Sequence, residues 1–319
     1  MICMTPRISF VMPAWKSRFI KQAISSIVAQ TSSDWELIVV DDCSPDPIQD
    51  IVDSYNNPQI RYVCNQVNIG GKDLVGQWNY CLTFAKGEFI VLAGDDDVYK
   101  ETFCAECIRL IEKYPTVDLI RSSVEEIDEN GNHIYDDFIP AEFTSKYEYL
   151  NLWITGRIYT CIGNFAFRRS ALLASGGFID FPCAFGSDIA TPISLSQNGV
   201  ANIYERLFCF RISQYHLSSD YSRFIEKLEA ISQLTEWLQS IDYETPNNEK
   251  DKAFYSIKNP EYLHKKAVYD YFNLVIKFLP FDKLNYLKYC RLATPTDKTM
   301  MILRWIKRQL QEIKRRCRH

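Results

Sequence analysis

Along the first third of the chain, short apolar runs alternate with segments whose apolar residues return every three or four positions. "ISFVM" at 8–12, "WELIVV" at 35–40, "IRYVC" at 60–64 and "EFIVL" at 88–92 are rich in β-branched and aromatic residues, the pattern of buried strands. Between the first two, Ile20, Ala23, Ile24 and Ile27 mark one face of a helix. "DLVGQWNYCLTFAKG" closes on Gly87, which is suited to a helix C-cap. Strands alternating with helices predict an α/β fold with a Rossmann-like, mostly parallel sheet flanked by helices.

From about residue 118 the pattern changes. "DLIRSSVEEIDENGNHIY" reads as a hairpin with Asn130 and Gly131 at its turn. A helix near "KYEYLNLWITG", a strand near "NFAFR" and a glycine turn in "SGGF" at 175–178 follow. After about residue 220 the segments read as helices punctuated by Pro246, Pro260, Pro280 and Pro295. The expected organisation is a domain over 1–218, with halves of about 1–117 and 118–218, and a helical C-terminal extension over 219–319.

In open α/β sheets, ligands gather beyond the carboxyl ends of the strands. The first predicted strand is followed by "PAWKS", the second by "DDCSPD" and the fourth by "AGDDDVY", so that edge is anionic. Asp41 and Asp42 either solvate a turn or accept hydrogen bonds from a nucleobase or ribose. Asp46 and Pro47 read as the N-cap and first position of the next helix.

Asp95, Asp96 and Asp97 are a different case. Crowded carboxylates raise one another's pKa and cost stability unless a cation lies among them. Oxygen-only ligands suit Mn²⁺ or Mg²⁺, which take one or two carboxylates plus substrate phosphates. Asp97 also reads as the cap of a helix starting near Lys100.

Asp188, in "FGSDIATPISLSQNG", is either an N-terminal acid favoured by a helix dipole or a general base beside an acceptor hydroxyl. Arg211 and His216 stand just beyond the strand "IYERLFCFR". His216 reads as a structural histidine or as a metal ligand, or with Arg211 as a contact to a diphosphate.

Composition narrows the class. With 47% hydrophobic and 14% aromatic residues, 319 residues suffice for a packed core. The net charge of -4 is unevenly spread, because residues 304–319 carry seven Arg or Lys against one Glu. Leu303, Ile306, Leu310, Ile313 and Cys317 follow three- and four-residue steps with Trp305 alongside. Residues 303–319 therefore read as an amphipathic helix that lies on an anionic membrane surface, or as a solvated helix docked to the protein.

No nucleic-acid partner is expected. Eleven cysteines without a signal-like start point to reduced thiols and a cytoplasmic location, with peripheral attachment to the inner face of the membrane as the further expectation. "CAEC", Cys104 to Cys107, lacks a second pair and reads as two buried helical cysteines. Apolar runs such as "YFNLVIKFLPF" fall well short of the roughly 18 residues of a membrane span.

Taken in order, "ISFVMPAWKSRFIKQAISSIVAQTSSDWELIVVDDCSPD", "NIGGKDLVGQWNYCLTFAKGEFIVLAGDDDVY", "FAFRRSALLASGGF" and "GSDIATPISLSQNG" resemble the inverting glycosyltransferases of family two, with the GT-A fold, over about residues 7–218. The resemblance implies that Pro13, Ala14, Asp41 and Asp42 lie at the nucleoside. It implies that Asn68, Gly70, Asn79 and Asp95 complete the nucleotide-sugar contacts and that Asp96 and Asp95 are the metal position, with Arg211 and His216 the further candidates for nucleotide-sugar contact and metal ligand. Asp188 matches the catalytic base. The implied reaction is metal-dependent sugar transfer from a nucleotide-diphosphate sugar, UDP favoured, to a saccharide or lipid-linked saccharide acceptor in cell-envelope polysaccharide synthesis.

Three positions depart from the pattern. Gly94 stands where many relatives have the first Asp of a DxD motif, and Ser187 where many have Glu before the base. "GQWN" at 76–79 keeps only the Asn of the frequent Ala-Arg-Asn. A nucleotidyltransferase would want a basic, Gly-rich triphosphate loop after the first strand, for which "PAWKSR" is a poor candidate. A catalytically silent nucleotide-sugar-binding or scaffolding protein is the non-enzymatic alternative.

Overall fold

A computed structural model describes residues 5–213, 221–255 and 259–316. Ten strands form one sheet: β1 (Ile8–Ala14), β2 (Trp35–Asp41), β3 (Ile60–Cys64), β4 (Phe89–Leu92), β5 (Val98–Tyr99), β6 (Leu119–Ile127), β7 (His133–Asp136), β8 (Phe143–Thr144), β9 (Phe165–Arg168) and β10 (Val200–Arg211). The order is β3-β2-β1-β4-β9-β6-β10-β5, with β7 beside β6 and β8 beside β10. Strands β3, β2, β1, β4, β6 and β10 share one direction, while β9 and β5 run against it. The α/β reading thus holds, with antiparallel strands confined to the second half of the sheet.

Helices α1 (Ile20–Val28), α2 (Ile48–Asp53), α3 (Leu74–Leu82), α4 (Phe103–Lys113), α5 (Lys146–Ile154), α6 (Arg169–Ala174) and α7 (Ser187–Leu195) belong to the same unit as the sheet. Helix α1 buries Ile20, Ala23, Ile24 and Ile27, the face read from their spacing. Each large apolar side chain so buried contributes about 1.5–3 kcal/mol. Cys104 and Cys107 are buried on α4, and the nine cysteines of the described residues are free thiols.

Three local expectations are corrected. Helix α3 ends at Leu82 with Thr83 as its C-cap, and Gly87 instead donates its N–H to Ser9 Oγ at 2.7 Å. Pro47, not Asp46, occupies the N-cap of α2, because the Asp46 carboxylate is taken by the N–H of Ser17 at 2.8 Å. Asp97 does not cap α4, which begins at Phe103 after Thr102; its carboxylate accepts from the main-chain N–H of Arg211 at 3.0 Å.

The chain divides into two compact units, Met1–Asp180 with Ser187–His216, and Phe181–Gly186 with Leu217–His319. The second unit is helical: α8 (Phe224–Ser240), α9 (Glu249–Phe254), α10 (Pro260–Asp270) and α11 (Pro295–Arg316). Pro260 and Pro295 open α10 and α11, where the missing N–H costs nothing. Leu228, Ile231, Tyr271, Ile276 and Met301 share its core, and the Tyr271 and Ser232 hydroxyls are hydrogen-bonded at 2.7 Å. Among the described residues no helix is long and apolar enough to cross a membrane.

Candidate active site

The parallel strands deliver their carboxyl ends to one edge, and the acids of the sequence collect there. Register pairs Ala14 of β1 with Asp41 of β2, and the N–H of Asp42 donates to the Ala14 carbonyl at 2.9 Å. Pro13 and Ala14 therefore sit directly beside Asp41 and Asp42. Both carboxylates are buried, at 4% exposure, and neither merely solvates a turn. Asp41 accepts from the Ser44 N–H and the Tyr62 hydroxyl, each at 2.7 Å. Burial and the Asp41 carboxylate push the Tyr62 phenol well above its usual range, so it stays a donor.

Asp42 organises the segment between β3 and α3. It accepts from Asn65 Nδ2 at 2.7 Å, the Ile69 N–H at 2.8 Å and the Gly70 N–H at 2.7 Å. Asn68 closes the same turn by accepting from the Gly71 N–H at 2.6 Å. Gly70 is thus brought to Asp42, whereas Asn79 points its amide at another loop. Asn79 accepts from the Phe178 N–H at 2.8 Å and donates to its carbonyl at 3.3 Å. Gly177 is required there: its φ is 94°, and an added Cβ would stand 2.3 Å from Asn79 Oδ1.

The acidic turn after β4 is tied to the loop after β1. Asp95 Oδ2 accepts from the Trp15 and Lys16 N–H groups, both at 3.0 Å. Ser44 Oγ donates to the Trp15 carbonyl at 2.7 Å, which joins the loop after β2 to the same knot. Burial raises the Asp95 carboxyl while those two N–H donors and the Lys16 charge oppose the rise.

Asp96 is the carboxylate left open. Among the described residues no other residue donates a hydrogen bond to its side chain. Burial and the neighbouring Asp95 push it up to about 6, against the pull of Lys16 and Arg211. Burial, with the charge of Asp96 beside it, also raises the Asp97 carboxyl well above its usual range. Gly94 has a steric reason: a Cβ there would lie 2.8 Å from Asp97 Oδ2 and 3.1 Å from Asp96 Oδ1.

Arg211 is 1% exposed and is not an open diphosphate contact. The pairing of β5 with β10 sets it opposite Asp96. Its Nε donates to the Asp96 carbonyl at 2.8 Å, Nη1 to the Asp128 and Glu129 carbonyls at 3.1 and 3.2 Å, and Nη2 to Gln22 Oε1 at 2.7 Å. Packed 4.6 Å over the Phe19 ring, it holds the acidic turn from behind. His216 lies outside the described residues.

Asp188 stands half-buried in the first turn of α7. Burial holds the Cys161 thiol well above its usual range, and the charges of Asp97 and Asp188 add to the rise. Burial pushes the Tyr159 phenol well above its usual range, and the charges of Glu126 and Asp188 add to the rise. A buried ion pair between Arg121 and Asp137 fixes this segment, because Arg121 Nη2 donates to the Tyr159 carbonyl and Asp137 Oδ1 accepts from the Tyr159 N–H, each at 2.9 Å. Tyr159, Glu126 and this clamp carry no sequence signature. They become visible only when β6 and the segment before β9 are brought together.

The donor set is compatible with a divalent cation. Among the described residues no three His, Cys, Asp or Glu side chains close on one point. What is present is one unengaged carboxylate at Asp96 beside the half-satisfied Asp95. This is the arrangement in which Mg²⁺ or Mn²⁺ keeps waters and takes its remaining oxygens from substrate phosphates.

Comparison with known proteins places this site in a family. The profile described as glycosyl transferase family 2 matches residues 9–176. The chain is 38% identical over 95 residues to WcaA of Escherichia coli (strain K12), named for colanic acid biosynthesis glycosyl transfer; the match covers 29% of this chain and 33% of that protein. It is 32% identical over 93 residues to WfgD of Escherichia coli, named as a UDP-Glc:alpha-D-GlcNAc-diphosphoundecaprenol beta-1,3-glucosyltransferase, covering 29% of this chain and 36% of the relative. The matches thus span about a third of these relatives' own length.

Among solved structures, TarS 1-349 of S. aureus in complex with UDP-GlcNAc superposes with a TM-score of 0.70 at 16% identity, covering 97% of this chain and 92% of that one. A mannosyltransferase of Pyrobaculum calidifontis in complex with GDP-Man and Mn²⁺ superposes at 0.55, with 16% identity, covering 97% and 81%. These likenesses establish the fold. With the family profile covering more than half of its residues, the chain belongs to glycosyl transferase family 2.

Proposed function

We propose that this protein transfers a sugar from a nucleotide-diphosphate donor, UDP favoured, to a saccharide or lipid-linked saccharide acceptor with inversion at the anomeric carbon, in cell-envelope polysaccharide synthesis. The observation that carries the reading is the Asp96 carboxylate left open at the carboxyl ends of the parallel strands, beside Asp95, whose Oδ2 is tied to the loop after β1 by the Trp15 and Lys16 N–H groups at 3.0 Å.

Pro13, Ala14, Asp41 and Asp42 form the floor on which the nucleoside rests, with Gly70 beside Asp42. Much of the accepting capacity of Asp41 and Asp42 is taken up by the chain's own donors, so their first duty is to hold that floor rigid. Mn²⁺ or Mg²⁺ at Asp96 and Asp95 would offset the negative charge that develops on the leaving diphosphate. Arg211 keeps the Asp96 main chain in place through its carbonyl.

Asp188 removes the proton from the acceptor hydroxyl. The freed oxygen pair forms the new bond to the anomeric carbon from the face opposite the diphosphate, and the bond to the phosphate oxygen breaks with its electrons. Support for UDP comes from TarS, solved with UDP-GlcNAc, and WfgD, named for UDP-Glc. Support for the metal comes from the mannosyltransferase of Pyrobaculum calidifontis solved with GDP-Man and Mn²⁺. Colanic acid and diphosphoundecaprenol in the relatives' names support the pathway and the acceptor class.

The test is Asp188→Asn with an identified donor and acceptor. The expected result is a fall in kcat of about 10²–10⁴-fold, the worth of a positioned general base, with donor affinity retained. In the wild type, proton NMR should show an α-linked donor giving a β-linked product. Retained configuration, or unchanged kcat in the variant, would overturn the assignment.

A further inference from the structure

Helix α11 carries two apolar faces, and only one of them is used inside the protein. Met301 and Trp305 are buried at 1% and 7% exposure, and Trp305 Nε1 donates to the Leu279 carbonyl at 2.9 Å. Arg308 lies 5.8 Å from the Phe278 ring centroid and pairs with Glu312 at 3.0 Å, on the same side of the helix. This is the docked face.

The second face is built from Ile302, Leu303, Ile306, Leu310 and Ile313, which remain 36%, 54%, 43%, 54% and 56% exposed. At about 100° per residue these five fill an arc of about 100°, centred about 130° from Met301 and Trp305. Lys307 and Lys314 border the arc on one side and Lys298 on the other. The two acids of the helix are already engaged, Glu312 with Arg308 and Asp297 with Thr294 and His264.

We infer that this second face of α11 is a binding surface for an anionic lipid bilayer, lying in the plane of the headgroups with Ile306, Leu310 and Ile313 dipped into the acyl boundary. An apolar arc bordered by Lys307 and Lys314 on one side and by Lys298 on the other matches an interface that is apolar below and negative above. A second copy of the chain is a poorer occupant, because packing arc on arc would set the bordering lysines against one another with no acid of the helix to receive them. The helix lies on the bilayer and does not enter it, since no helix of the described residues can span one. The inference stands independently of the transfer reaction and is tested without turnover.

The experiment is co-sedimentation of the full chain with vesicles of phosphatidylglycerol and phosphatidylcholine in equal parts, and with phosphatidylcholine alone. Binding is expected only to the anionic vesicles and should weaken as salt is raised. Lys307→Gln with Lys314→Gln should weaken it about thirtyfold. Leu310→Glu should abolish it with an unchanged melting temperature, because that side chain touches no core. Three outcomes would each overturn the inference: no binding to anionic vesicles at low salt, equal binding by both variants and the wild type, or a dimer in sedimentation that Leu310→Glu dissociates while vesicle binding is absent.

Discussion

The guanidinium of Arg211 donates to the main-chain carbonyl of Asp96 at 2.8 Å, while the Arg211 N–H binds the carboxylate of Asp97 at 3.0 Å. One buried residue on β10 thereby fixes both the chain path and a side chain of the acidic turn after β4. The contact arises because β5, immediately following the three aspartates, pairs antiparallel with β10. Arg211→Lys keeps the charge but loses the planar fork, so several of the Asp96, Asp128 and Glu129 carbonyls lose their donor. A loss of about 2–4 kcal/mol in urea unfolding is expected, together with weaker donor binding. A variant as stable as the wild type would remove Arg211 from this role.

Asp96 gives a pH dependence whose sign follows from its shift. Its carboxyl is raised from 3.8 to about 6 in the folded protein. Between those values the folded state holds a proton that the unfolded state has released. In EDTA, stability should therefore fall as pH rises from about 4 to about 6 and then level off on this group's account. The ionised, unpaired carboxylate costs on the order of 1–2 kcal/mol at neutral pH after allowing for its partial exposure. Asp96→Asn should lessen that slope in denaturation measured across the range, the raised Asp95 and Asp97 carboxyls keeping the remainder, and should raise stability at pH 7.5. A slope undiminished in the variant would assign it wholly to those other groups.

Gly94→Asp would restore the DxD spelling of the motif, yet it should weaken the protein. The new Cβ meets Asp97 Oδ2 at 2.8 Å, and that oxygen belongs to a buried carboxylate already held by Arg211. A fourth acid also joins three that already repel one another. Destabilisation of about 1–3 kcal/mol in thermal or urea unfolding is expected, with no gain in metal affinity. Tighter Mn²⁺ binding in a stable variant would show that the turn can open.

Legibility in the sequence was uneven for physical reasons. The strands at 8–12, 35–40, 60–64 and 88–92 were readable because burial on both faces demands continuous apolar runs, and each matches an observed strand to within two residues. The α1 face was readable from its period alone. Capping failed at Asp46, Asp97 and Gly87, where long-range partners outbid the local ones: Ser17 for Asp46, Arg211 for Asp97 and Ser9 for Gly87.

Acids at strand ends could be picked out by type and place, but their different situations could not. Asp42 is saturated by Asn65, Ile69 and Gly70, whereas Asp96 is left open, and only the fold decides which. Arg211 read as a ligand contact because an arginine beside a strand end resembles one. Its burial reassigns it to holding the main chain. On α11, spacing found the stripe of Leu303, Ile306, Leu310 and Ile313, but docking through Met301 and Trp305 alongside an exposed stripe needed three dimensions.

Isothermal titration of UDP, GDP and dTDP into the wild type and Asp96→Ala, each with and without Mn²⁺, tests the donor site directly. UDP should bind the wild type, and more tightly with Mn²⁺, while Asp96→Ala should lose that strengthening. Binding of none of the three nucleotides under either condition, or identical Mn²⁺ dependence in the two proteins, would contradict that assignment.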